Sequence, residues 1–176
     1  MLLTIERYEQ LDERKLMELY REGNEKNVAY FLPELDPVVG LRKIEQDFLQ
    51  YLKEEFFSKQ GNCYYVLEQD GVWVSVLRLY QAEGYHYLEA LETLPSCRRK
   101  GYAKQLLCQV FDDLGQQGEF IIRDAVNKNN TASLRTHQSC GFIIEKQDAF
   151  VYTTGEVDPD CYGMIYRSDF AKNGSR

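Results

Sequence analysis

Residues 97–106, CRRKGYAKQL, set Arg98, Arg99, Lys100 and Lys104 around Gly101, and no carboxylate occurs from Thr93 to Phe111. General basicity does not explain this, because 21 Lys+Arg against 28 Asp+Glu leave the chain at −7. Helix starts normally attract acids, since the macrodipole puts partial positive charge there. A start that gathers cations instead suits an external anion. Glycine at that point lets the backbone come close to a ligand, and the unpaired N–H groups of the first helical turn point at it. A phosphate or pyrophosphate would satisfy them. There is no G-x-x-x-x-G-K-[ST], and GYAKQL lacks the three glycines of a dinucleotide fingerprint, so neither familiar phosphate loop applies.

The elements around this stretch follow from hydrophobic spacing. Leu11, Leu16, Leu19 and Tyr20 predict a helix opened by Asp12 and closed near Gly23. Leu41, Ile44, Phe48, Leu52 and Phe56 predict a second helix from Asp36-Pro37. CYYVLE and VWVSVLRLY, joined by QDG, read as a hairpin, and HYLEALETL as a further strand stopping at Pro95. Ala103, Leu106, Leu107, Val110, Phe111 and Leu114 then fall at helical spacing, with Gly115 as a stop, so Gly101 sits at a strand-to-helix junction. EFIIRDAV reads as a strand, NNTASLRTHQSC as a short helix capped by Asn130, and FII, FVYTT and YGMIYR as late strands. The expectation is a mixed α/β domain of the α+β type, with a mostly antiparallel central sheet and about four helices.

With 176 residues, 44% hydrophobic and 13% aromatic, the chain suits a single domain spanning 1–176. Neither a signal peptide nor a run of 18 apolar residues is present, which predicts a cytoplasmic protein with no membrane partner. Cysteines at 63, 97, 108, 140 and 161 are odd in number and form no C-x-x-C pair, which argues against a disulfide framework and against a metal site. The acidic balance disfavours nucleic acid, whose binding needs a broad basic surface.

Arg98-x-x-Gly101-x-Ala103 directly after a strand resembles the pyrophosphate loop [QR]-x-x-G-x-[GA] of the GCN5-related N-acetyltransferase (GNAT) superfamily. About thirty residues later, NTASLRTHQSCGF is similar to that family's N-x-x-[AS]-x-x-x-Y-x-x-x-G-F segment. The resemblance covers residues 63 to 144 well and the first helices loosely. It implies an acetyl-CoA-dependent N-acetyltransferase acting on a primary amine by direct attack in a ternary complex, with acetyl-CoA as cosubstrate and no metal. It also implies two parallel strands splayed apart at the acyl-CoA site.

Carried over by position, Arg99, Lys100, Gly101, Tyr102, Ala103 and Lys104 would hold the coenzyme A pyrophosphate, with Arg98 there or bracing the loop. Leu91, Glu92 and Thr93 would pair through their backbone with the pantetheine arm, as an added strand does. Asn130 would reach the same region, or serve only as a helix cap. An alkyl amine with a pKa of about 10.4 must lose a proton before attack, so a base is needed. Glu89, Glu92 and Glu83 are local, and Glu89 stands nearest to where the family places its glutamate; its alternative is an exposed strand carboxylate. A main-chain N–H near Leu91 would serve the developing oxyanion. His137 stands where the family has the tyrosine that protonates the departing thiolate. An imidazole can give that proton, and a structural histidine is the alternative. Cys97 and Cys140 read as packing residues.

The acceptor region, with Tyr30, Phe31, Glu34, Asp36, Tyr152 and GEVDPD, is acidic and aromatic, which favours a cationic small-molecule or peptide amine. A homodimer is compatible with this reading. Two other classes stand beside the enzyme: a noncatalytic acyl-CoA-binding module, and an interaction domain whose basic stretch meets an acidic partner.

Overall fold

The computed structural model describes residues 1–169, and the remainder of the expected 1–176 domain lies outside the described residues. The apolar start forms strand β1 (Leu2–Ile5), followed by helices α1 (Glu13–Phe31) and α2 (Pro37–Tyr51). Strands β2 (Cys63–Gln69), β3 (Val72–Ala82) and β4 (Tyr85–Thr93) come next. Then follow α3 (Tyr102–Gln117), β5 (Ile121–Asn127), α4 (Thr131–Ser139), β6 (Ile143–Lys146), β7 (Ala149–Val151), β8 (Glu156–Asp158) and β9 (Cys161–Arg167). The domain is mixed α/β, as the spacing predicts.

Two helix ends differ from the expected ones. Asp12 caps α1 by accepting from the Lys15 N–H at 3.0 Å, but the helix runs through Gly23 to Phe31. One interior glycine costs about 1 kcal/mol against alanine, and buried Asn24 and Val28 continue the inward stripe beyond it. Helix α3 also passes Gly115, by two exposed residues, and ends at Gly118, whose φ is +135°. Asp36 caps α2 through the Val38 and Val39 N–H groups. A Cβ on Gly40 would lie 2.5 Å from Val28 Cγ1, so the absence of a side chain there lets α2 close on α1.

Seven strands form one sheet in the order β1-β2-β3-β4-β5-β9-β6, and β7 pairs with β8 alone. Every neighbouring pair in the large sheet is antiparallel except β4–β5. Helices α1 and α2 cover one face, burying Leu16, Leu19, Val66, Val76 and Tyr80, while α3 and α4 cover the other with Leu106, Leu107, Val110 and Phe142.

Between β4 and β5 the parallel pairing is confined to His86↔Ile122 and Tyr87↔Arg123. Beyond Tyr87 the two strands part, leaving the second half of β4 without β5 beside it. On the other edge of β4 the register jumps from Arg78↔Glu89 to Val76↔Glu92, so Ala90 and Leu91 together oppose Leu77. Ala90 has φ +56°, the left-handed conformation of a bulge residue. An L-residue there is strained by roughly 1–2 kcal/mol. Ala90→Gly is therefore expected to leave stability within about 1 kcal/mol, the relieved strain offsetting the glycine's entropy. Ala90→Val should cost about 2 kcal/mol, because a β-branched side chain tolerates this φ worst. Urea unfolding of both variants checks the pair, and equal stabilities would remove strain from the account of the bulge.

Candidate functional site

The chain leaves β4 through a short turn at Pro95–Cys97, and Arg99 (φ +61°) and Gly101 (φ +82°) then bend it into α3. Gly101 is the N-cap, and no side chain caps this helix start. The helical ladder begins with the Gln105 N–H donating to the Gly101 carbonyl at 2.9 Å. The N–H groups of Tyr102, Ala103 and Lys104 therefore lie in the orphan first turn. A Cβ on Gly101 would meet nothing within 4 Å, so the helix start is open at this residue. Arg99, Lys100 and Lys104 are exposed around it. Open space, uncapped donors and three cations fit a pyrophosphate.

Arg98 does something different. Its Nε donates to the Thr93 carbonyl at 3.2 Å, Nη1 to Glu22 at 2.7 Å and Nη2 to Glu92 at 3.2 Å. The guanidinium thus ties the end of β4 and the loop to α1, and Glu92 spends its carboxylate on this tie and on the Thr93 N–H. The Leu94 N–H donates to Val74 of β3, so by strand alternation the backbone groups of Leu91 and Thr93 turn toward the gap on the β5 side. Those of Thr93 are met by Arg98 and Glu92, which leaves Leu91 as the residue whose backbone addresses the gap.

Glu89 sits next to the bulge, on the face covered by α1 and α2. Its Oε2 receives Arg78 Nη2 at 2.7 Å, Arg78 Nε at 3.1 Å and the Tyr80 hydroxyl at 2.7 Å. Its Oε1 receives the Thr153 hydroxyl at 3.1 Å. Arg78 is buried under the rings of Phe48, Tyr51, Phe56 and Tyr80. Burial alone would favour the neutral form, but the surrounding tyrosines and Glu89 outweigh it and keep the guanidinium charged.

Residues 14–142 match the sequence pattern of the acetyltransferase (GNAT) family. The chain belongs to that family. It is accordingly an N-acetyltransferase that uses acetyl-CoA. The fold is similar to that of PaiA N-acetyltransferase from Thermoplasma acidophilum in complex with coenzyme A, at TM-score 0.65 and 17% identity, covering 95% of this chain and 99% of that one. A spermidine N-acetyltransferase SpeG mutant from Vibrio cholerae aligns at TM-score 0.62 and 15% identity over 100% and 99% of the two chains. The ribosomal-protein-S18-alanine N-acetyltransferase from Escherichia coli aligns at TM-score 0.53 and 20% identity over 70% and 76%. No curated protein matches the chain by sequence.

In this acetyltransferase, Asn130 caps α4, its Oδ1 accepting from the Ser133 N–H at 3.1 Å. His137 lies on α4, on the sheet face opposite to Glu89, and is buried. Its Nδ1 is 2.8 Å from the Ser133 carbonyl, its Nε2 is 2.8 Å from Asp124 Oδ2 on β5, and its ring packs edge-on against Phe142. The Asp124 oxygen lies off the N–H direction, so the contact is an ion pair rather than an in-line hydrogen bond. Both ring nitrogens therefore lie 2.8 Å from an acceptor, which favours the imidazolium. Burial pulls its pKa down, but Asp124 and the Ser133 carbonyl outweigh that and raise it.

Sequence reasoning passed over Tyr20, Arg78, Tyr80, Asp124 and Thr153. Arg78 and Asp124 did carry a signal, each being a charge inside an apolar strand, LRL and IIRDAV. Tyr20 looked like one more inward helix position.

Proposed function

We propose that this GNAT acetyltransferase moves an acetyl group from acetyl-CoA to a primary amine by direct attack within a ternary complex. What carries the reading is the meeting of an uncapped α3 start, a parted β4–β5 pair and a bulge at Ala90. Arg99, Lys100, Gly101, Tyr102, Ala103 and Lys104 would hold the pyrophosphate, with Arg98 as the brace behind them. Leu91, Glu92 and Thr93 would border the pantetheine arm, with Asn130 at the start of α4 across the gap.

The amine nitrogen attacks the thioester carbonyl carbon; the C–N bond forms, the C–S bond breaks, one proton leaves nitrogen and one reaches sulfur. Glu89 would take the first proton through a water at Oε1, which has one donor against three on Oε2. His137 is the other expected participant, but with acceptors at both nitrogens we assign it the joint between α4 and β5, and sulfur its proton from solvent. Glu34, Asp36 and the acidic stretch GEVDPD of the expected acceptor region favour a cationic acceptor. Neighbours named for spermidine and for a protein alanine bracket the choice between polyamine and peptide N-terminus. Free thiols at all five cysteines suit work in the cytosol.

The test is thiol release from acetyl-CoA across a panel of polyamines, amino sugars and peptide N-termini. Amine-dependent release is expected. Coenzyme A binding by calorimetry without release from any amine would make the protein a noncatalytic module, and no binding would leave the interaction-domain reading. With an active amine in hand, Glu89→Gln should lower turnover by at least about 100-fold, the usual share of a general base. It also uncouples Arg78 and should cost stability, so rates are taken well below its melting temperature. Parental turnover in folded Glu89→Gln would remove the base assignment.

A further inference from the structure

The Ala90 carbonyl does not enter the β3–β4 ladder in the ordinary way. At φ +56° the residue rotates its following peptide, and the carbonyl accepts the Tyr20 hydroxyl of α1 at 3.2 Å. In a trans peptide the C=O and the next N–H point in opposite directions. Since the Ala90 oxygen is drawn toward α1, the Leu91 N–H must point away from it. Strand alternation directs the same group to the gap between β4 and β5. One phenol thus fixes the orientation of the one backbone donor that addresses the gap.

We propose that Tyr20 is a positioning residue for acetyl transfer, its hydroxyl holding the Ala90–Leu91 peptide so that the Leu91 N–H is aimed at the acetyl carbonyl oxygen. The proposal rests on the acetyl-CoA reading above. Tyr20 is itself held in place by its ring, which packs edge-on against Phe48 at 5.6 Å. Burial, the largest cause, pushes the Tyr20 hydroxyl well above its ordinary pKa, so it stays a donor throughout the working range.

The strand splay and bulge position the cosubstrate whether or not the phenol is there, so Tyr20 should act on the reacting carbonyl and not on affinity. In Tyr20→Phe, turnover with the active amine should fall roughly 10- to 100-fold, part of the 100- to 1,000-fold that an oxyanion donor supplies. The KM for acetyl-CoA should stay within about twofold, because the ring and the pyrophosphate loop remain. A readout independent of turnover is the infrared carbonyl stretch of bound carbonyl-13C acetyl-CoA. In the parent it should lie below its value in water, and in Tyr20→Phe it should move back up. Should that variant fail to fold, 3-fluorotyrosine at position 20 keeps the shape with a stronger donor and should move the band further down. A parent band that neither variant moves, or parental turnover in folded Tyr20→Phe, would overturn the role of Tyr20 alone. A parent with no bound carbonyl band would overturn the acetyl-CoA reading, and this inference with it.

Discussion

Gly101→Glu is expected to weaken coenzyme A by at least about 100-fold, roughly 2.7 kcal/mol, while the domain stays folded. The two halves of this expectation have separate causes. The fold should survive because a Cβ at Gly101 meets no atom within 4 Å and the position is exposed. The remaining cost is the left-handed φ of +82°, on the order of 1–2 kcal/mol for an L-residue. Affinity should collapse because the new carboxylate stands in front of the uncapped first turn of α3 and supplies from within the anion that this helix start otherwise takes from outside. Exposed Arg99, Lys100 and Lys104 would pair with it as well. Gly101→Ala separates the terms, since it carries the same backbone strain without the charge, and should lose only about 10-fold. Calorimetry with coenzyme A, beside circular dichroism, reads both. Undiminished affinity in folded Gly101→Glu would take the loop out of the site.

What could be read from the sequence is what depends on neighbours along the chain. Capping by Asp12, Asp36 and Asn130, the Asp70-Gly71 turn of the first hairpin and the glycine before α3 are local events, each fixed by a residue type at a given offset. The helix end at Gly23 misled because an interior glycine costs little when burial continues past it, whereas α3 passes Gly115 by only two exposed residues. The pairings around Glu89 were out of reach for another reason. Arg78 is 11 residues away and Thr153 is 64, and their meeting depends on the strand register and on the β7–β8 hairpin. The bulge itself hides in the sequence, because Ala90 is not the glycine that usually marks such a turn. The same holds for His137, where the sequence offers a helix position and a residue type but says nothing of Asp124 across the face.

His137→Ala is expected to cost roughly 3 kcal/mol, because it leaves Asp124 facing an empty, largely buried space and strips the ring from Phe142. For a domain of this size that is on the order of 10 °C in melting temperature. The pH dependence identifies the source. The folded pKa of His137 is raised above the unfolded value of about 6.5, so its contribution is fully present below that value and is lost as pH rises through the folded pKa. The parent should therefore lose stability relative to His137→Ala as pH climbs above neutrality, and the gap between them should be widest in mild acid. His137→Tyr decides about chemistry. A phenol with a pKa of about 10 stays a proton donor after an imidazolium has lost its proton. If His137 delivered the thiolate's proton, the tyrosine variant would keep activity and extend it to higher pH, and the alanine variant would lose turnover while keeping its acetyl-CoA affinity. For a joint between α4 and β5 the expected pattern is the reverse. Both variants melt earlier, the tyrosine no better than the alanine because it brings a bulkier, uncharged ring against Asp124. At temperatures where the variants remain folded, their turnover should stay within about tenfold of the parent, with an unchanged pH profile. Urea unfolding and turnover against pH for the three proteins decide it; an alanine variant of parental stability and strongly reduced turnover would return His137 to the chemistry.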